Sequence, residues 1–488
     1  MASKIPDFIP NYIGGEFLPA KEGGKLELVA PATGKVYSYL SNSTEADLAL
    51  AVKAAISAQP TWGDLKAEER AKYLFKIADL IDANSLEFAK LECLDTGKAV
   101  RFVEDIEVPR AAANIRFYGA AIMNFSSESH VSGANVLNFT RRDPLGIVAC
   151  ISPWNFPLHL LSWKIAPALA AGNAVIAKPS ELSPLTAWRL AEVCKEAGLP
   201  AGVLNILHGE GKGIGEALIS HPKVKAVSFT GGTATGRRIA SVGAAQIKKI
   251  SLELGGKNPL IVFADAHLEK AADAAVRAGF QNAGQICLCA SRLLVEKKIY
   301  EPFKALLLKR LETWKLGNPN DRTTDQGSVI SKAHQEKILG YIERAKKDGA
   351  KILIGGKAYQ PDAEFKGFFV EPTLIEGLSC DNAINQEEVF GPVVSMQSFD
   401  AEAEALQIAN STKYGLSASI WTQDIDRANR VARAIEAGVV WINCWNVRDL
   451  RTPFGGVKES GLGREGGWES LRFFTEPKNI SIQWETLS

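Results

Sequence analysis

The chain has 488 residues, more than the roughly 250–300 at which one hydrophobic core stops growing, so we expect at least two packed units. Hydrophobic residues make up 46% and charged residues 23%, which excludes the compositions of membrane and disordered proteins. The formal net charge of +1 lacks the basic excess that a phosphate backbone requires, which argues against nucleic acid as a partner.

The seven cysteines are sparse and odd in number, unlike a secreted disulfide framework, so we expect reduced thiols. None of the six histidines stands at zinc-ligand spacing beside a cysteine pair, so we predict no metal site. The N-terminal sequence MASKIPDFIPNYIGGEF has charges and prolines where a signal peptide needs an apolar core, and the longest apolar stretch, 158–177, is broken by Lys164 and Pro167. We therefore expect no membrane partner and a cytoplasmic location.

Apolar residues at helical spacing come first in the chain, at 48–55 and again at 74–81. From residue 146, short β-branched runs such as GIVACIS, NAVIA, VLNIL and AVSF alternate with amphipathic helical stretches as far as KISLEL. This alternation predicts a parallel, doubly wound sheet with the earlier helices packed onto it. A second series, from NPLIVF through RLLVE and VVSMQSF to GVVWIN, predicts a second α/β unit.

Two segments fit neither unit. They are 123–143, with the alternating sequence NVLNFTRR, and 470–488, with FFTEPKNISIQW. Each is typical of an edge strand that exposes unpaired backbone, and proteins cover such edges by strand pairing or by oligomerisation.

Three polar side chains stand at predicted element boundaries, where the sites of α/β proteins collect. Cys287 follows a Gly-Gln turn in FQNAGQICLCASR, Glu253 ends a strand in SLELGGKNP, and Asn155 lies between prolines in ISPWNFPLHLLSWK. Each also has a structural interpretation, namely an inert buried thiol, a solvated carboxylate and a helix cap. Taken singly, the residues leave these alternatives open.

Together the motifs resemble those of the NAD(P)-dependent aldehyde dehydrogenases over nearly the whole chain. They occur in family order: PWNFP at 153–157, KPSE at 178–181, FTGGTATG at 229–236, ELGGK at 253–257, GQIC at 284–287, EEVFGP at 387–392 and PFGGVKESGLGRE at 453–465.

The resemblance implies the α/β aldehyde dehydrogenase fold and a homodimer or homotetramer. Its expected parts are a Rossmann-like NAD-binding domain (1–122 and 144–254), an α/β catalytic domain (255–446), oligomerisation strands (123–143 and 470–488), and a substrate-tunnel loop with a connection back (447–469).

The resemblance also implies the catalytic roles. Cys287 is the expected nucleophile, because a thiolate adds readily to an aldehyde carbon and later leaves as a thioester. Asn155 is the expected oxyanion donor, together with the backbone N–H of Cys287. Glu253 is the expected base that activates water, and its presence favours hydrolysis to a free acid over transfer to coenzyme A.

In FTGGTATG a strand is followed by Gly231 and Gly232 and then by a helix. Such a turn brings backbone N–H groups and a helix N-terminus to a pyrophosphate, although a glycine pair alone is weak evidence. The family often has Ser where this chain has Gly232, so backbone donors are expected to replace one side-chain contact. The glycines of GEGKGIG at 209–215 match a dinucleotide fingerprint poorly, and only Gly211 is predicted to approach adenine.

In KPSE, Lys178 and Glu181 resemble the pair that binds the adenosine ribose hydroxyls in this family. A carboxylate there accepts a hydrogen bond from the 2′-hydroxyl and repels a 2′-phosphate, which favours NAD over NADP. The alternative is a surface ion pair at i, i+3. The resemblance also implies a nicotinamide-ribose contact and a nicotinamide wall at Glu388 and Phe390, with further NAD contacts at Trp154 and Leu254.

The stretch NCWNVRDLRTPFGG at 443–456 is most similar, within the family, to that of the 2-aminomuconate and 2-hydroxymuconate semialdehyde dehydrogenases. By this resemblance, Arg448 and Arg110 bind the substrate. Two guanidiniums recognise a carboxylate, so the expected semialdehyde substrate has an aldehyde at one end and a carboxylate at the other. In the alternatives Arg110 is a solvated helix residue, Arg448 pairs with Asp449, or Arg451 takes the role of Arg448. The sequence does not separate the amino from the hydroxy substrate.

Other functions use parts of the same pattern. Betaine aldehyde, or a general aliphatic or aromatic aldehyde, requires the same catalytic residues. Fold alone never proves activity, but the joint presence of Cys287, Glu253 and Asn155 argues against an inactive binding protein. A cysteine hydrolase needs a histidine within hydrogen-bond reach of the thiol and leaves the NAD motifs unexplained.

Overall fold

This computed structural model describes residues 5–485. An eight-stranded sheet forms the centre of the first unit. Its five central strands are parallel, and antiparallel strands close both edges. In spatial order the strands are Gly461–Leu462, Lys249–Glu253, Val224–Thr230, Ile147–Ile151, Ala174–Lys178, Leu204–Ile206, Asn11–Ile13 and Glu16–Leu18.

A seven-stranded sheet forms the second unit, as the second strand-and-helix series predicts. Only its first strand is antiparallel to its neighbour. In spatial order the strands are Lys351–Ile354, Thr373–Glu376, Val393–Phe399, Arg292–Glu296, Pro259–Val262, Ser417–Trp421 and Val439–Ile442.

The two segments outside these units form one antiparallel sheet, in which Val136–Pro144 lies between Ser129–Ser132 and Thr475–Gln483. Residues 470–473 are helical rather than extended, and 486–488 lie outside the described residues. The smaller sheets combine Phe8–Ile9, Lys35–Ser41 and Lys25–Ala30, then Ala358–Tyr359 with Phe369–Val370, and Tyr414–Gly415 with Val457–Lys458.

Helices cover both faces of the two large sheets, because parallel strands require crossover connections that place helices on either side. The predicted apolar positions Leu48, Ala55, Leu74 and Ile81 are all buried. The α-helices are Glu45–Asp64, Ala67–Ala83, Ser85–Thr96, Val100–Phe102, Val108–Met123, Pro157–Ala170, Leu185–Glu196, Glu216–Ser220, Thr233–Ala245, Leu268–Phe280, Tyr300–Glu312, Lys332–Lys347, Ala383–Gln386, Glu402–Asn410, Ile425–Ala434 and Gly467–Phe473.

Short tighter or wider turns complete the structure: π-helical Val103–Glu107 and Gly211–Gly215, and 3₁₀-helical Gln281–Gly284 and Lys297–Ile299. None of the helices in residues 5–485 is long and apolar enough to cross a membrane. Across the same residues, no group of three or more His, Cys, Asp or Glu side chains is arranged to hold a metal ion.

The strand directions place the predicted site residues together. Ile147–Ile151, Ala174–Lys178, Val224–Thr230 and Lys249–Glu253 are parallel, so their carboxyl ends lie along one edge of the first sheet. Binding sites of open α/β sheets occur at that edge. The second unit contributes Cys287 from the chain just before Arg292–Glu296.

Candidate active site

Two adjoining cavities of about 260 and 240 Å³ open at the carboxyl edge of the first sheet. Both are lined by Trp154 and by the turn that holds Gly231 and Gly232, so they form one continuous cleft. All the residues predicted to bind NAD line this cleft: Trp154, Lys178, Glu181, Gly211, Gly231, Gly232, Leu254, Glu388 and Phe390.

The first cavity has the features that an adenosine and a pyrophosphate require. Helix Thr233–Ala245 begins directly after Gly232, with its N-terminus beside the cleft. A Cβ atom at Gly211 or Gly232 would meet no protein atom within 4 Å, so the space beside both backbones is free for a ligand. Lys178 Nζ lies 3.1 Å from Glu181 Oε2, so the two residues form the ion pair of the alternative interpretation, and both also line the cavity where the ribose is predicted to bind.

The second cavity is walled by Glu388 and Phe390. Glu388 Oε1 accepts a hydrogen bond of 2.9 Å from the backbone of Gly256, and burial raises the pKa of this carboxyl group. Glu388 Oε2 makes no hydrogen bond to the described residues, so it is free to accept one from a ligand hydroxyl. The arrangement suits a ribose.

Helix Lys332–Lys347 holds this wall with two side chains on one face, His334 and Tyr341. His334 Nε2 donates to Phe390 O at 2.7 Å, and Tyr341 donates to Glu387 Oε2 at 2.6 Å. Phe390 has a φ of 60°, a left-handed conformation that costs energy for a non-glycine residue. Burial lowers the pKa of His334 to about 4, so the ring is neutral at neutral pH and the Nε2–H donor is fixed.

Cys287 is carried by a tightly folded segment. The preceding Asn282, Ala283 and Gly284 have φ values of 53°, 51° and 67°, so three consecutive left-handed residues turn the chain toward the cleft. A Cβ atom at Gly284 would lie 2.1 Å from Gly391 O, which only glycine avoids. Cys287 is half-buried and lines the second cavity, which is inconsistent with an inert, sealed thiol.

Asn155 also lines the second cavity, beside Cys287. One Nδ2–H donates to Gln285 O at 3.0 Å, and Asn282 donates to Asn155 O at 3.2 Å. The interpretation of Asn155 as a helix cap is wrong, because the helix begins at Pro157 after Phe156 and has no side-chain cap. The second N–H of the Asn155 amide makes no hydrogen bond to the described residues and is available to an oxyanion.

Glu253 ends its strand at 4% exposure, and neither carboxylate oxygen has a hydrogen-bond partner among residues 5–485. Burial, and then the negative charge of Glu465, hold the pKa of Glu253 well above its usual range. A Cβ atom at Gly455 would lie 2.7 Å from Glu253 Oε1, so the missing side chain at this position of the PFGG motif leaves room for the carboxylate. Burial and the Glu253 charge raise the pKa of Cys287 to about 12.

Arg110 and Arg448 lie near each other, because the charges of both guanidiniums lower the pKa of the same residue, His159. Arg448 lies against two aromatic rings, 4.2 Å from the centroid of Phe454 and 5.3 Å from that of Trp163. Burial, and then the charge of Arg110, lower the pKa of Arg448, while burial lowers that of Arg110. Neither guanidinium forms a salt bridge with a carboxylate of the described chain.

Arg451 lies elsewhere. Its side chain is 81% exposed and pairs with Asp449 at 2.6 Å. The interpretation in which Asp449 pairs with Arg448 is therefore wrong. Arg110 is half-buried rather than a fully solvated helix residue.

Sequence reasoning missed two histidines, His159 and His334. His159 is buried, and the nearby charges of Arg448 and Arg110 add to burial in holding its pKa well below its usual range. His334 contacts a residue far along the chain. No local motif predicts either placement, although His159 lies within the stretch PWNFPLHLLSWK that carries Asn155.

Comparison with known proteins gives consistent results. Residues 17–480 match the aldehyde dehydrogenase family. A 2-aminomuconic semialdehyde dehydrogenase of Danio rerio is 45% identical over 479 residues, which cover 97% of this chain and 98% of that protein. A 2-hydroxymuconic semialdehyde dehydrogenase of Pseudomonas sp. (strain CF600) is 44% identical over 482 residues, covering 97% and 99%. The NAD+ complex of an aldehyde dehydrogenase from Bacillus cereus superimposes with a TM-score of 0.95 at 40% identity, covering 98% and 97%.

Proposed function

This chain belongs to the aldehyde dehydrogenase family, and from that premise we propose that it oxidises a carboxylate-bearing semialdehyde to the dicarboxylic acid with NAD as the hydride acceptor. The substrate we propose is 2-aminomuconate 6-semialdehyde or 2-hydroxymuconate 6-semialdehyde. The observation that carries this proposal is the pair of guanidiniums, Arg110 and Arg448, which have no carboxylate partner in the described chain. The charge of Arg448 acts on Cys287 and Glu253, and the charge of Arg110 acts on Arg448.

NAD fits the cleft that the described residues form. Lys178 and Glu181 suit the adenosine ribose, the turn at Gly231 and Gly232 suits the pyrophosphate, and Glu388 suits the nicotinamide ribose. The carboxylate of Glu181 favours NAD over NADP, because it repels a 2′-phosphate. When bound, NAD takes up the hydride that leaves the substrate carbon.

The chemistry on the protein begins at Cys287. Its thiol, which burial keeps neutral at neutral pH, releases its proton to water before the attack. Attack on the aldehyde carbon gives a thiohemiacetal, whose alkoxide receives hydrogen bonds from Asn155 and the Cys287 backbone N–H. Loss of hydride leaves a thioester on Cys287. Glu253 then accepts a proton from water, the resulting hydroxide attacks the thioester, and the free acid leaves as the thiolate is regenerated.

The positive charge of the two guanidiniums separates the candidate substrates. Two half-buried cations attract a carboxylate and repel the trimethylammonium group of betaine aldehyde. An uncharged aldehyde gains nothing from either guanidinium. We place the role on Arg448 rather than Arg451, because Arg451 is exposed and already paired with Asp449.

The test compares substrates with and without a carboxylate. Charge-assisted hydrogen bonds contribute roughly 1.5–3 kcal/mol, so Arg448→Ala and Arg110→Ala should each lower kcat/KM for 2-hydroxymuconate 6-semialdehyde by about ten- to a hundredfold. Activity on hexanal should hardly change. Arg451→Ala is the matched control and should leave both activities unchanged.

Equal loss on both substrates in Arg448→Ala would make this arginine structural. The substrate would then be an unspecified aldehyde, and the carboxylate-binding role would be rejected for this residue.

We also propose the assignment of the segments and the assembly. The NAD-binding domain comprises 1–122 and 144–254, the catalytic domain 255–446, and the connection back 447–469. The predicted oligomerisation segments 123–143 and 470–488 contain the strands Ser129–Ser132, Val136–Pro144 and Thr475–Gln483, and the sheet of these strands is proposed to join copies into a homodimer or homotetramer. Its exposed apolar side chains, Val131 and Ile482, support this role.

The cytoplasm is the proposed location, supported by the absence of disulfides among the seven cysteines, all of which lie in the described chain.

A further inference from the structure

His159 lies on helix Pro157–Ala170, four residues after Asn155 and four before Trp163. Its side chain is 7% exposed, and its ring lies between two aromatic rings, with centroid distances of 6.2 Å to Phe156 and 6.4 Å to Trp163. Trp163 is also the ring against which Arg448 lies. The histidine therefore lies on the helix that follows the candidate oxyanion donor Asn155, and it shares Trp163 as a neighbour with the candidate carboxylate ligand Arg448.

The neighbouring helix, Val108–Met123, packs against the helix of His159. It carries Arg110 and Asn114, which are four residues apart and share one helix face. Asn114 Nδ2 lies 3.2 Å from His159 Nδ1 and also donates to His159 O at 3.2 Å. A carbonyl oxygen only accepts hydrogen bonds, so the amide nitrogen of Asn114 must face His159. Nδ1 is then an acceptor, and the proton of the neutral ring lies on Nε2.

The electrostatic surroundings keep the ring neutral. Burial lowers the pKa of His159 well below its usual range, and the charges of Arg448, Arg110 and Lys98 lower it further. The Nε2–H group makes no hydrogen bond within the described part of the chain. Nε2 is not sealed within the protein, so its N–H is open to water or to a ligand.

We propose that His159 is a specificity-determining residue whose Nε2–H donates a hydrogen bond to an oxygen at the carboxylate-bearing end of the substrate. The inference rests on the proposed function, because it needs a substrate that carries oxygens at that end. The acceptor is either a carboxylate oxygen or the 2-oxygen beside it. A neutral donor suits this position, since the two guanidiniums already supply the positive charge.

The test uses His159→Leu, which removes both ring nitrogens, and His159→Gln, which keeps an N–H donor on a side chain of similar reach. Three aldehydes are assayed with NAD: 2-hydroxymuconate 6-semialdehyde, 6-oxohexanoate and hexanal. His159→Leu should lower kcat/KM for the hydroxymuconate substrate by about tenfold or more, chiefly through KM, and should leave hexanal unchanged. His159→Gln should recover most of the loss.

The substrates also identify the acceptor. A similar loss on 6-oxohexanoate, which lacks a 2-substituent, assigns the contact to the carboxylate, whereas a loss confined to the hydroxymuconate substrate assigns it to the 2-oxygen. Equal loss on all three aldehydes, or no loss on either acid substrate, would overturn the proposal.

Arg448→Ala in the same assays separates this inference from the proposed function. If Arg448→Ala distinguishes the acid substrates from hexanal and His159→Leu does not, only the role of His159 is rejected. If neither variant distinguishes them, the carboxylate-bearing substrate is rejected, and the role of His159 with it.

Discussion

The Glu253 carboxyl group combines burial, two unpartnered oxygens and a negative neighbour, Glu465. Lys164 holds Glu465 in place, with Nζ 2.6 Å from Oε1. A carboxylate with a raised pKa is a stronger base, and a base acts most efficiently when its pKa is near the working pH. The environment of Glu253 therefore suits removal of a proton from water, which an ordinary solvated carboxylate does poorly.

Replacing Glu253 should separate the two halves of the reaction. Glu253→Gln should still give a burst of NADH near one per site, while steady turnover collapses because the thioester is no longer hydrolysed. In the unmodified enzyme the base must be ionised, and its folded pKa lies well above the usual range. Steady kcat should therefore rise with pH in a range above that of an ordinary carboxyl group, and the Gln variant should lose that rise. Rapid-mixing absorbance measures both quantities.

Cys287→Ala is the control for that experiment and should give no burst, since it lacks the nucleophile. An unchanged steady rate in Glu253→Gln would remove this residue from the mechanism. Mass spectrometry of the variant during turnover should detect the acyl adduct on the protein.

Sequence reasoning at this scale found the residues that short motifs contain. PWNFP, ELGGK and GQIC predicted Asn155, Glu253 and Cys287, because each stands at the end or start of a regular element. The proposed role of His159 was not predicted, since it depends on the hydrogen bond with Asn114 and the charge of Arg110, both on a different helix. Contacts between side chains on separate helices leave no periodic signal in the sequence.

The buried ammonium group of Lys98 links the helices that precede Arg110 and carry His159. Lys98 Nζ lies 2.8 Å from Glu92 Oε1 and 2.6 Å from Glu107 Oε2, with all three side chains almost fully buried. Glu92 Oε2 also accepts from Leu158 N at 3.3 Å, in the first turn of the helix that carries His159. Glu107 ends the π-helical turn Val103–Glu107, directly before the helix of Arg110. The network therefore links the two helices that carry His159 and Arg110, the residues proposed to bind the substrate.

Removing the ammonium should be costly. Lys98→Met leaves two buried carboxyl groups without their cation, and breaking a buried pair in this way typically costs about 3–5 kcal/mol. Denaturant unfolding at fixed protein concentration measures the loss. Arg116→Met is the control, because Arg116 pairs with Asp79 and Asp82 at the surface and should cost less than about 1 kcal/mol. Equal losses would show that Lys98 is not essential to the network.

The elements themselves were largely predictable, because alternating β-branched runs and amphipathic stretches predict parallel strands and crossover helices. The π-helical turn was not, since 103–107 continues a helical pattern without a turn residue. The left-handed run at Asn282, Ala283 and Gly284 also has only one glycine to indicate it. Such irregular backbone is fixed by contacts from other elements, which local propensity does not contain.

At the scale of the whole molecule, the segment before the Arg110 helix is held to the second unit by ion pairs. Arg322 contacts Glu104 and Asp105, and Arg101 lies 2.7 Å from Asp325. Each of these pairs is partly exposed and contributes little alone. Together they tie the segment before the Arg110 helix to the unit that carries Cys287. The sequence divides into two units, but no pattern in it predicts which surface charges meet.

The three-stranded sheet has one apolar and one polar face. Its strand register places Val131 opposite Leu137 and Leu137 opposite Ile482, so the three form a row across the sheet. Val131 is 62% exposed and Ile482 49% exposed. The sequence predicted edge strands here, but not that 475–483 pairs with 136–144. An exposed apolar row beside an open strand edge is typical of an interface, and we expect a second copy of this chain to cover it.

Charges placed in this row should prevent assembly. The double variant Val131→Asp with Ile482→Asp buries two carboxylates in the proposed interface, so the mass measured by light scattering should fall from that of a dimer or tetramer to a smaller species. Asn479→Asp adds a charge on the same strand, but on the polar face beside Thr140, and should leave the mass unchanged. The NADH burst checks that each variant remains folded. An unchanged mass in a folded double variant would exclude this face as the interface, because no assembly tolerates two unpaired carboxylates at its centre without weakening.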